Sequence, residues 1–399
     1  MFKDSTEIKN ILYEKDGISN LIVQMIKNMM ETLMNAELSQ LLTYDKYDPK
    51  GKNTGNSRNG YYKRDYDTRY GMIEELNIPR DRNGEFKQQL IHPYKRREDW
   101  LEDLIIKMYS RGMSTRDIAA LIEKLYGPSY SATTVSNITD IALEELNKWH
   151  NRPLKKRYSV LFIDGLSIKI RRDTVDNDSA YLILGIDEDG YREILDFYIG
   201  TTESATVWKG ILSNLKARGI QEVLLGVMDG LSGLEEAFLT VYPKADVQRC
   251  IVHKVRNSVA KIRKKDYLEF TSDLKLVYQS PSRDMALQML DEFQDKWERK
   301  YPNVVQSWTV NTDTLFKFYD YPVSIHQAIY TTNWIERAIK EIRKRLKTKD
   351  SLPNQEAAEK LLYLSVVDYN DKWAQRKLRG FSTAREDLLD MFKRRYSQG

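Results

Sequence analysis

The chain has 399 residues, enough for roughly two or three domains and for a full hydrophobic core in at least one of them. Its 41% hydrophobic and 30% charged residues are typical of a globular protein in water. We find no long apolar run and no signal-peptide pattern, which argues against a membrane protein and favours the cytoplasm. The single cysteine, Cys250, excludes an intrachain disulfide and fits a reducing compartment.

The net charge of +5 is unevenly spread, because two short segments hold much of the basic surplus. Residues 50–64 contain five Lys or Arg and no acidic residue, and residues 340–349 contain six basic residues against Glu341 alone. Such runs are usually solvated surface, but they also suit a polyanion such as nucleic acid. In the first run, Arg58, Lys63 and Arg64 are candidate DNA contacts.

Residues 1–43 are predicted to be a helical segment. Within 17–42, five apolar residues fall on one helical stripe: Ile18, Ile22, Met25, Met29 and Leu33. Packing of this stripe on its own domain and dimerisation are both consistent with the pattern. Residues 44–99 follow as a basic linker or DNA-contacting arm, because 44–70 are rich in Lys, Arg, Asn, Gly and Tyr and show no apolar period.

Residues 100–150 are predicted to form a helix-turn-helix-like DNA-binding domain. The pattern is strongly helical, and 114–117 have the form of a capping box that opens a second helix. A third helix is predicted from Ser131 to about residue 146. Its first exposed residues are of the polar kind that reach base edges in such motifs: Thr133, Thr134 and Asn137. Three short helices also form plain bundles, so it is the neighbouring basic segment that favours DNA.

From residue 155 the pattern becomes that of strands, and 155–260 have the element order of the first part of a ribonuclease H-like catalytic core. The predicted elements are strands 158–170, 180–186 and 192–199, helix 204–218, strand 223–228, helix 233–242 and strand 246–252. In this layout the first and fourth strands lie side by side. A helical insertion is expected at 261–325, and the core resumes with C-terminal helices at 326–399. The predicted fold class is α/β, a ribonuclease H-like core with a helical insertion, preceded by an all-α helix-turn-helix-type DNA-binding region.

Two acidic residues stand where buried strands are expected. Asp164 follows the apolar run 160–163, and Asp229 follows the apolar run 223–228. An ionised carboxylate among buried apolar neighbours is costly unless it is compensated, and one divalent cation can compensate two of them. Because the first and fourth strands are neighbours in the expected sheet, the sequence predicts a metal site here.

A helix that begins near residue 332 offers a third carboxylate, Glu336. Its core face carries four apolar residues at spacings of four, three and four: Ile335, Ile339, Ile342 and Leu346. Its basic residues are candidate phosphate contacts: Arg337, Lys340, Arg343, Lys344, Arg345 and Lys347. A helical Glu near such bases is ordinarily a surface ion pair, but beside two aspartates Glu336 becomes the candidate that completes a metal triad.

Four motifs, in this order, resemble the DDE transposases of bacterial insertion sequences in the Mutator-like group. They are Asp164-Gly165, Met228-Asp229-Gly230, Gln248-Arg249-Cys250-Ile-Val-His253 with Arg256-Asn257, and Thr332-Asn333-Trp-Ile-Glu336-Arg337 with Arg343-Lys-Arg345. The similarity runs through essentially the whole chain, including the long helical insertion. The chain departs from the family pattern at Trp334, where a smaller residue is expected, and after Glu336, where an Asn is expected within four positions.

The resemblance implies that Asp164, Asp229 and Glu336 are the catalytic triad and hold two Mg²⁺ (or Mn²⁺) ions, with Asp164 bridging both. Two such ions roughly 3.5–4 Å apart can activate a nucleophile and stabilise both the charge on phosphate and the leaving oxygen. It also implies that water first frees the 3′-OH at each element end, and that this hydroxyl then attacks another DNA strand. No covalent enzyme intermediate and no nucleotide cofactor are expected.

The partners implied by the resemblance are double-stranded DNA, both at the terminal inverted repeats of the element and at the target, and a second copy of the chain. A homodimer is expected because two ends must be brought together. The protein would be nucleoid-associated, with no membrane partner.

By the resemblance, Cys250 and His253 form the family's C-x2-H signature, and together with Asn333 they are expected near the metal ligands or the DNA. Two ligands three positions apart are half of a structural zinc site, and no second pair is nearby, so zinc is not expected. A His253 within reach of DNA or metal and a packed Cys250 beside a hydrogen-bonded His253 both fit the sequence.

Two other functions stay open. One is a ribonuclease H-like DNA endonuclease without strand transfer, against which the N-terminal DNA-reading region and the long insertion argue. The other is a catalytically inactive DNA-binding regulator, against which the intact Asp, Asp, Glu set argues.

Overall fold

The computed structural model describes residues 17–49, 54–68, 70–88, 90, 99–126, 131–171, 175–200, 204–348 and 351–396. The chain is a mixed α/β protein that divides into two compact units, Met1–Thr139 and Asp140–Gly399. Among the described residues, no helix is both long enough and apolar enough to cross a bilayer.

The N-terminal unit combines helices with a two-stranded antiparallel hairpin. Its elements are α1 (Gly17–Leu42), β1 (Arg58–Thr68), β2 (Gly71–Asp81), α2 (Asp99–Ser110), α3 (Thr115–Tyr126) and α4 (Ala132–Thr139). The hairpin packs on α1 through one small core: Met30, Met34, Tyr66, Ile73, Leu76 and Ile78.

The hairpin corrects one prediction. Residues 44–99 were expected to be a basic linker or DNA-contacting arm, and 44–70 show no apolar period, but β1 occupies 58–68 and β2 occupies 71–81. The physical reason is that β1 is held by backbone pairing with β2 and is mostly exposed, with Tyr66 as its contribution to the core. A strand that needs few apolar residues of its own leaves no period in the sequence.

Helix α1 buries a different face from the predicted one. Its buried residues are Met30, Met34, Leu38 and Leu42, whereas Met25, Met29 and Leu33 of the predicted stripe are 58%, 62% and 42% exposed. For these three residues, the interpretation that they pack on their own domain is wrong. The side chain of Ile18 lies outside the described set. Dimerisation through this stripe stays a prediction.

Helices α2, α3 and α4 pack on one another as the sequence predicts for a three-helix arrangement. The capping box is confirmed, because the Asp117 amide donates to Ser114 Oγ at 3.1 Å and Ser114 Oγ donates to the Asp117 carboxylate at 2.7 Å. The predicted third helix, however, is broken. It ends at Thr139, and α5 (Ile141–His150) belongs to the second unit, so the predicted domain 100–150 is divided. Asp140, at the break, forms a 2.7 Å ion pair with the buried Lys360.

The second unit is built on a five-stranded sheet of order β5-β4-β3-β6-β7. Its strands are β3 (Arg157–Arg171), β4 (Val175–Ile186), β5 (Arg192–Gly200), β6 (Glu222–Met228) and β7 (Asp246–Arg249). Strand β3 is antiparallel to β4 and parallel to β6, which in turn is parallel to β7. The prediction that the first and fourth strands of this unit are neighbours is confirmed.

The helices of this unit cover the sheet and form the expected insertion. They are α5, α6 (Ala205–Ala217), α7 (Leu234–Val241), α8 (Ile251–Val259), α9 (Tyr267–Tyr278), α10 (Arg283–Trp297), α11 (Pro302–Thr309), α12 (Thr312–Leu315), α13 (Val323–Ile329), α14 (Asn333–Leu346), α15 (Gln355–Trp373), α16 (Arg379–Thr383) and α17 (Arg385–Tyr396). Short 3-10 turns lie at Lys264–Asp266 and Lys317–Asp320. Residues 261–325 are mainly helical, as predicted, and their identification as an insertion in a ribonuclease H-like core stays a prediction.

The core beneath the site is formed by the sheet with α6 and α7. Trp208 and Leu212 of α6 and Phe238 of α7 are buried against residues of β3 and β6, and every residue of β6 is buried. On α14, the predicted core residues Ile335, Ile339 and Ile342 are buried, and this helix packs on β3. Because these anchors are fixed, the polar residues that end β6 and start α14 are held in place.

Candidate active site

Asp164 and Asp229 sit at matching points of two neighbouring parallel strands. Ile163 and Met228 are register partners across β3 and β6, and each aspartate is the next residue along its chain. Each carboxylate accepts a 2.8 Å hydrogen bond from the amide of the glycine that follows it. The strand pairing therefore brings the two aspartates together, as predicted.

Asp164 is the buried member of the pair, at 8% exposure. Burial raises the pKa of its carboxyl to about 6, against the Gly165 hydrogen bond and the charge of His253, while Glu336 and Asp229 add to the rise. A carboxylate that is costly to ionise in this position is one that a bound cation would stabilise.

Glu336 reaches Asp164 from the first turn of α14 and also contacts two residues of α8. Its Oε1 lies 3.1 Å from His253 Nε2 and 3.0 Å from Arg256 Nη1. The Thr332 hydroxyl lies 3.5 Å away. The core packing of α14 thus orients Glu336 toward the sheet. From the sequence of the helix alone, this residue would be expected to form a surface ion pair.

His253 lies among the carboxylates. Its Nδ1 is 3.6 Å from Asp229 Oδ2, and one ligand atom each from Asp164, His253 and Glu336 lie within 4.8 Å of one another. The pKa of the His253 imidazole is raised to about 9, mainly by its hydrogen bond with Cys250. The negative charges of Cys250, Asp229 and Asp164 raise it as well, whereas burial lowers it. The cluster within 4.8 Å includes His253 and leaves Asp229 beside it, which differs from the predicted triad.

Cys250 has a different task from His253. It is buried at 2% exposure, caps the start of α8 by accepting from the His253 amide at 3.5 Å, and contacts Thr332 twice. Its Sγ lies 3.2 Å from the Thr332 hydroxyl and accepts from the Thr332 amide at 3.3 Å. The thiol therefore ties the start of α8 to the start of α14. Strand β7 ends at Arg249, earlier than the predicted residue 252, because Cys250 begins this cap.

Four of the predicted basic residues line the cleft beside Asp164 and Glu336: Lys340, Arg343 and Lys344 of α14, and Lys347 directly after it. Arg256 also lines it and was not singled out by itself, although it stands three positions after His253 in the quoted motif. A helical spacing of three places both side chains on one face of α8, which is the signal that could have found it.

Three other predicted residues of α14 lie elsewhere. The guanidinium of Arg345 is 3.0 Å from the Asp368 carboxylate with only 16% of its side chain exposed, which corrects its assignment as a phosphate contact. Arg337 stacks on Trp334. Asn333 is exposed, and its backbone N–H donates to the Thr331 hydroxyl at 3.4 Å.

Three of the six predicted DNA contacts of the N-terminal unit have local partners among the described residues: Arg58, Lys63 and Thr134. Arg58 donates to the Ser39 hydroxyl at 2.6 Å, Lys63 pairs with Glu75 at 2.7 Å, and Arg64 lines a groove along the hairpin. On α4, Thr133 and Asn137 are exposed. The Thr134 hydroxyl is 3.0 Å from that of Ser131, which caps this helix. Contact of these residues with DNA stays a prediction.

The family model described as "Transposase, Mutator family" matches residues 1–376. The transposase for insertion sequence element IS905 of Lactococcus lactis is 40% identical over 98% of this chain and 100% of the relative. The transposase for insertion sequence element IS1201 of Lactobacillus helveticus is 36% identical over 91% of this chain and 98% of the relative. A solved pre-cleavage Mos1 transpososome is 11% identical over 79% of this chain and 82% of that chain, with a TM-score of 0.19, too low to support an inference.

Proposed function

Since the chain belongs to the Mutator family of transposases, we propose that it binds the terminal inverted repeats of its insertion sequence and catalyses metal-dependent DNA cleavage and strand transfer. The observation that carries this proposal is the convergence of Asp164 and Glu336, from the sheet and from α14, within the same cluster. The strand order β5-β4-β3-β6-β7, with the helical insertion before α14, also fits the expected ribonuclease H-like core.

The residues present fit a divalent cation with oxygen ligands. Asp164, Asp229 and Glu336 offer carboxylate oxygens, the ligands preferred by Mg²⁺ and Mn²⁺. The Nε2 of His253 contacts Glu336, whereas its buried Nδ1 has no hydrogen-bond partner among the described residues and could bond with a bound group. We propose that the three carboxylates hold two such ions. When bound, the ions would favour a deprotonated nucleophile and offset negative charge on the phosphate.

The residues around the carboxylates would bind the DNA and position Glu336. Lys340, Arg343, Lys344 and Lys347 present four cations along one side of the cleft, where a phosphodiester backbone would lie. Arg256 holds Glu336 at 3.0 Å and would keep its carboxylate aimed at the cluster. In this proposal, water attacks at each element end first, and the freed 3′-OH then attacks the target strand in the same site.

Two element ends need two active sites, so the proposed working form is a homodimer acting at the nucleoid. The exposed apolar stripe Met25, Met29 and Leu33 of α1 is our proposed contact between copies. These three side chains are exposed in the part of the chain that the structure describes, which supports a contact with another copy.

The test is incubation of the full-length protein with a labelled duplex that carries its element's end and with Mg²⁺, beside Glu336→Gln. Nicking at the end followed by joining to a second DNA, both lost in the variant, would support the proposal. Nicking without joining would indicate an endonuclease that only hydrolyses. Binding without nicking would indicate a DNA-binding regulator, and either result would overturn strand transfer.

A further inference from the structure

A second recess lies along α14, beside the cleft that holds the carboxylates. It is lined by three aromatic residues, Trp334, Tyr369 and Trp373, and by a single carboxylate, Glu341. Its cationic lining residues are Arg192, Arg337, Lys340, Lys344, Arg376 and Lys377. Glu341 has its own cation, because Lys372 Nζ lies 3.5 Å from it. The recess, which we name the Trp334/Trp373 pocket, is therefore strongly positive.

The centre of this pocket is a buried arginine. Arg192, the first residue of β5, is 5% exposed, and its guanidinium carbon lies 4.8 Å from the Trp334 ring and 4.5 Å from the Trp373 ring. It also hydrogen-bonds with Tyr369. Burying a guanidinium without a carboxylate partner is costly, and stacking on two indoles offsets only part of that cost.

Two buried donors in this pocket have no acceptor. Among the described residues, neither the Nε of Arg192 nor the Nε1 of Trp373 has a hydrogen-bond partner. Buried donors are nearly always paired in folded proteins, so two orphans in one recess indicate a site built for an acceptor. The surplus of cations indicates that this acceptor is anionic.

The aromatic rings are not open for stacking a nucleobase. Trp334 already has Arg192 and Arg337 against its ring, at 4.8 and 5.1 Å. Trp373 has Arg192, Arg376 and Lys372 within 5 Å of its ring centre. Because both rings already carry cations, the indoles serve to hold guanidinium groups in place. The ligand chemistry that remains is that of a phosphate, with several oxygens to accept from guanidinium, indole and ammonium donors.

The pocket is continuous with the catalytic cleft. Lys340 and Lys344 of α14 line both recesses. A polyanion lying in the cleft can therefore pass over these two lysines and reach Arg192 without leaving positive surface.

We propose that the Trp334/Trp373 pocket binds a backbone phosphate of the DNA strand that runs through the catalytic cleft, and so fixes the path of that strand across α14. This inference rests on the proposed function, since it takes DNA as the occupant of the cleft. The pocket residues position DNA and take no part in the chemical step.

The test uses the full-length double variant Arg376→Glu/Lys377→Glu, because both side chains are exposed and their replacement keeps the buried Arg192 between Trp334 and Trp373. The matched control is Lys209→Glu/Lys393→Glu, which makes the same change of charge at exposed positions outside both recesses. Binding to a labelled duplex of the element end is measured by fluorescence anisotropy over a range of salt. We expect the pocket variant to bind on the order of tenfold more weakly at about 0.1 M salt, with a salt slope smaller by about 1 to 2, while the control stays within about twofold of the wild type.

A second readout locates the contact. Neutral methylphosphonate linkages are placed one at a time along the duplex. One such linkage, near the cleavage position, should lower the affinity of the wild type. The same linkage should not lower the affinity of the pocket variant any further, because the variant has already lost that phosphate contact. Equal binding by the pocket variant and the control would overturn the inference. So would a wild-type loss that follows abasic positions instead of neutral linkages, which would indicate base stacking.

Failure of this inference is distinguishable from failure of the proposed function. If the wild type nicks and joins DNA but the pocket variant behaves as the control, the pocket assignment is wrong and the function stands. If the pocket variant loses binding as expected but the wild type neither nicks nor joins, the catalytic proposal is wrong and the pocket stands.

Discussion

Glu336 and His253 are joined by a 3.1 Å contact between Oε1 and Nε2, although one lies in α14 and the other in α8, with the helical insertion between them in the chain. The contact places a carboxylate and an imidazole from distant segments beside Asp164 on β3. The candidate site is thus closed from one side by the sheet and from the other by two helix starts, and Cys250 and Thr332 hold those two starts together.

The first prediction concerns Glu336. Glu336→Gln keeps the size of the side chain but removes a charge that would hold a cation, and several kcal/mol of transition-state stabilisation should be lost with it. We expect DNA nicking to fall by roughly three orders of magnitude while DNA binding is retained. Single-turnover cleavage of a labelled duplex measures this.

The control for this variant is Glu356→Gln, at an exposed carboxylate of α15 that lines neither recess. It should cleave within about twofold of the wild type, since exposed charges contribute little. Equal loss in both variants would point to a general loss of folding instead of a role for Glu336.

The two members of the C-x2-H pair should respond differently to substitution. His253→Gln removes the imidazole from the carboxylate cluster, and we expect cleavage to fall by roughly 10- to 100-fold without loss of folding. Cys250→Ser keeps a small polar group that can bond with Thr332, so cleavage should stay near that of the wild type. Circular dichroism and single-turnover cleavage measure the two effects, and a Cys250→Ser enzyme as inactive as His253→Gln would contradict this division of tasks.

Metal binding should depend on pH through Asp164. Its pKa is raised to about 6, so below that pH the carboxyl of the folded protein holds a proton that a cation must displace. The apparent affinity for Mg²⁺ should therefore rise by up to about tenfold per unit between pH 5 and pH 6, as measured by calorimetry on the full chain. Above pH 6 it should rise further toward pH 9, because the pKa of the neighbouring His253 imidazole is raised to about 9 and its positive charge opposes the cation below that pH. Asp164→Asn should bind more weakly and lose this step, whereas unchanged wild-type affinity from pH 5 to pH 7 would refute the assignment.

The stability of the N-terminal unit should depend on the hairpin core. Leu76 is fully buried between β2 and α1, so Leu76→Ala should lower the free energy of unfolding of this unit by about 2–5 kcal/mol. Met29 on α1 is 62% exposed in the single chain, and Met29→Ala should change it by less than about 0.5 kcal/mol at protein concentrations where the chain is a monomer. Urea unfolding of both variants measures the difference. Equal destabilisation would mean that α1 buries the stripe first predicted from the sequence.

Two elements that position the site were predictable because their sequence patterns agree with their burial. After Glu222, strand β6 has no polar side chain and is wholly buried, and α14 repeats Ile at helical spacing on the face that packs on β3. The hairpin was missed for the opposite reason: β1 is mostly exposed and polar, and pairing with β2 decides its conformation. In α1 the stripe was misplaced because apolar residues occur on more than one face, and only contact with the hairpin selects Met30 and Met34.

The sequence by itself determined the carboxylates of the candidate site. Asp164 and Asp229 each follow an apolar strand pattern, and Glu336 lies next to the apolar face of its helix. Only the tertiary structure decided that His253 stands inside the cluster, that Cys250 is a buried link to Thr332, and that Arg345 pairs with Asp368. The physical reason is that local sequence sets which face of a helix is apolar, whereas the partner of each polar side chain depends on segments far away in the chain. The same holds for Arg192, whose stacking between Trp334 and Trp373 joins three separate elements.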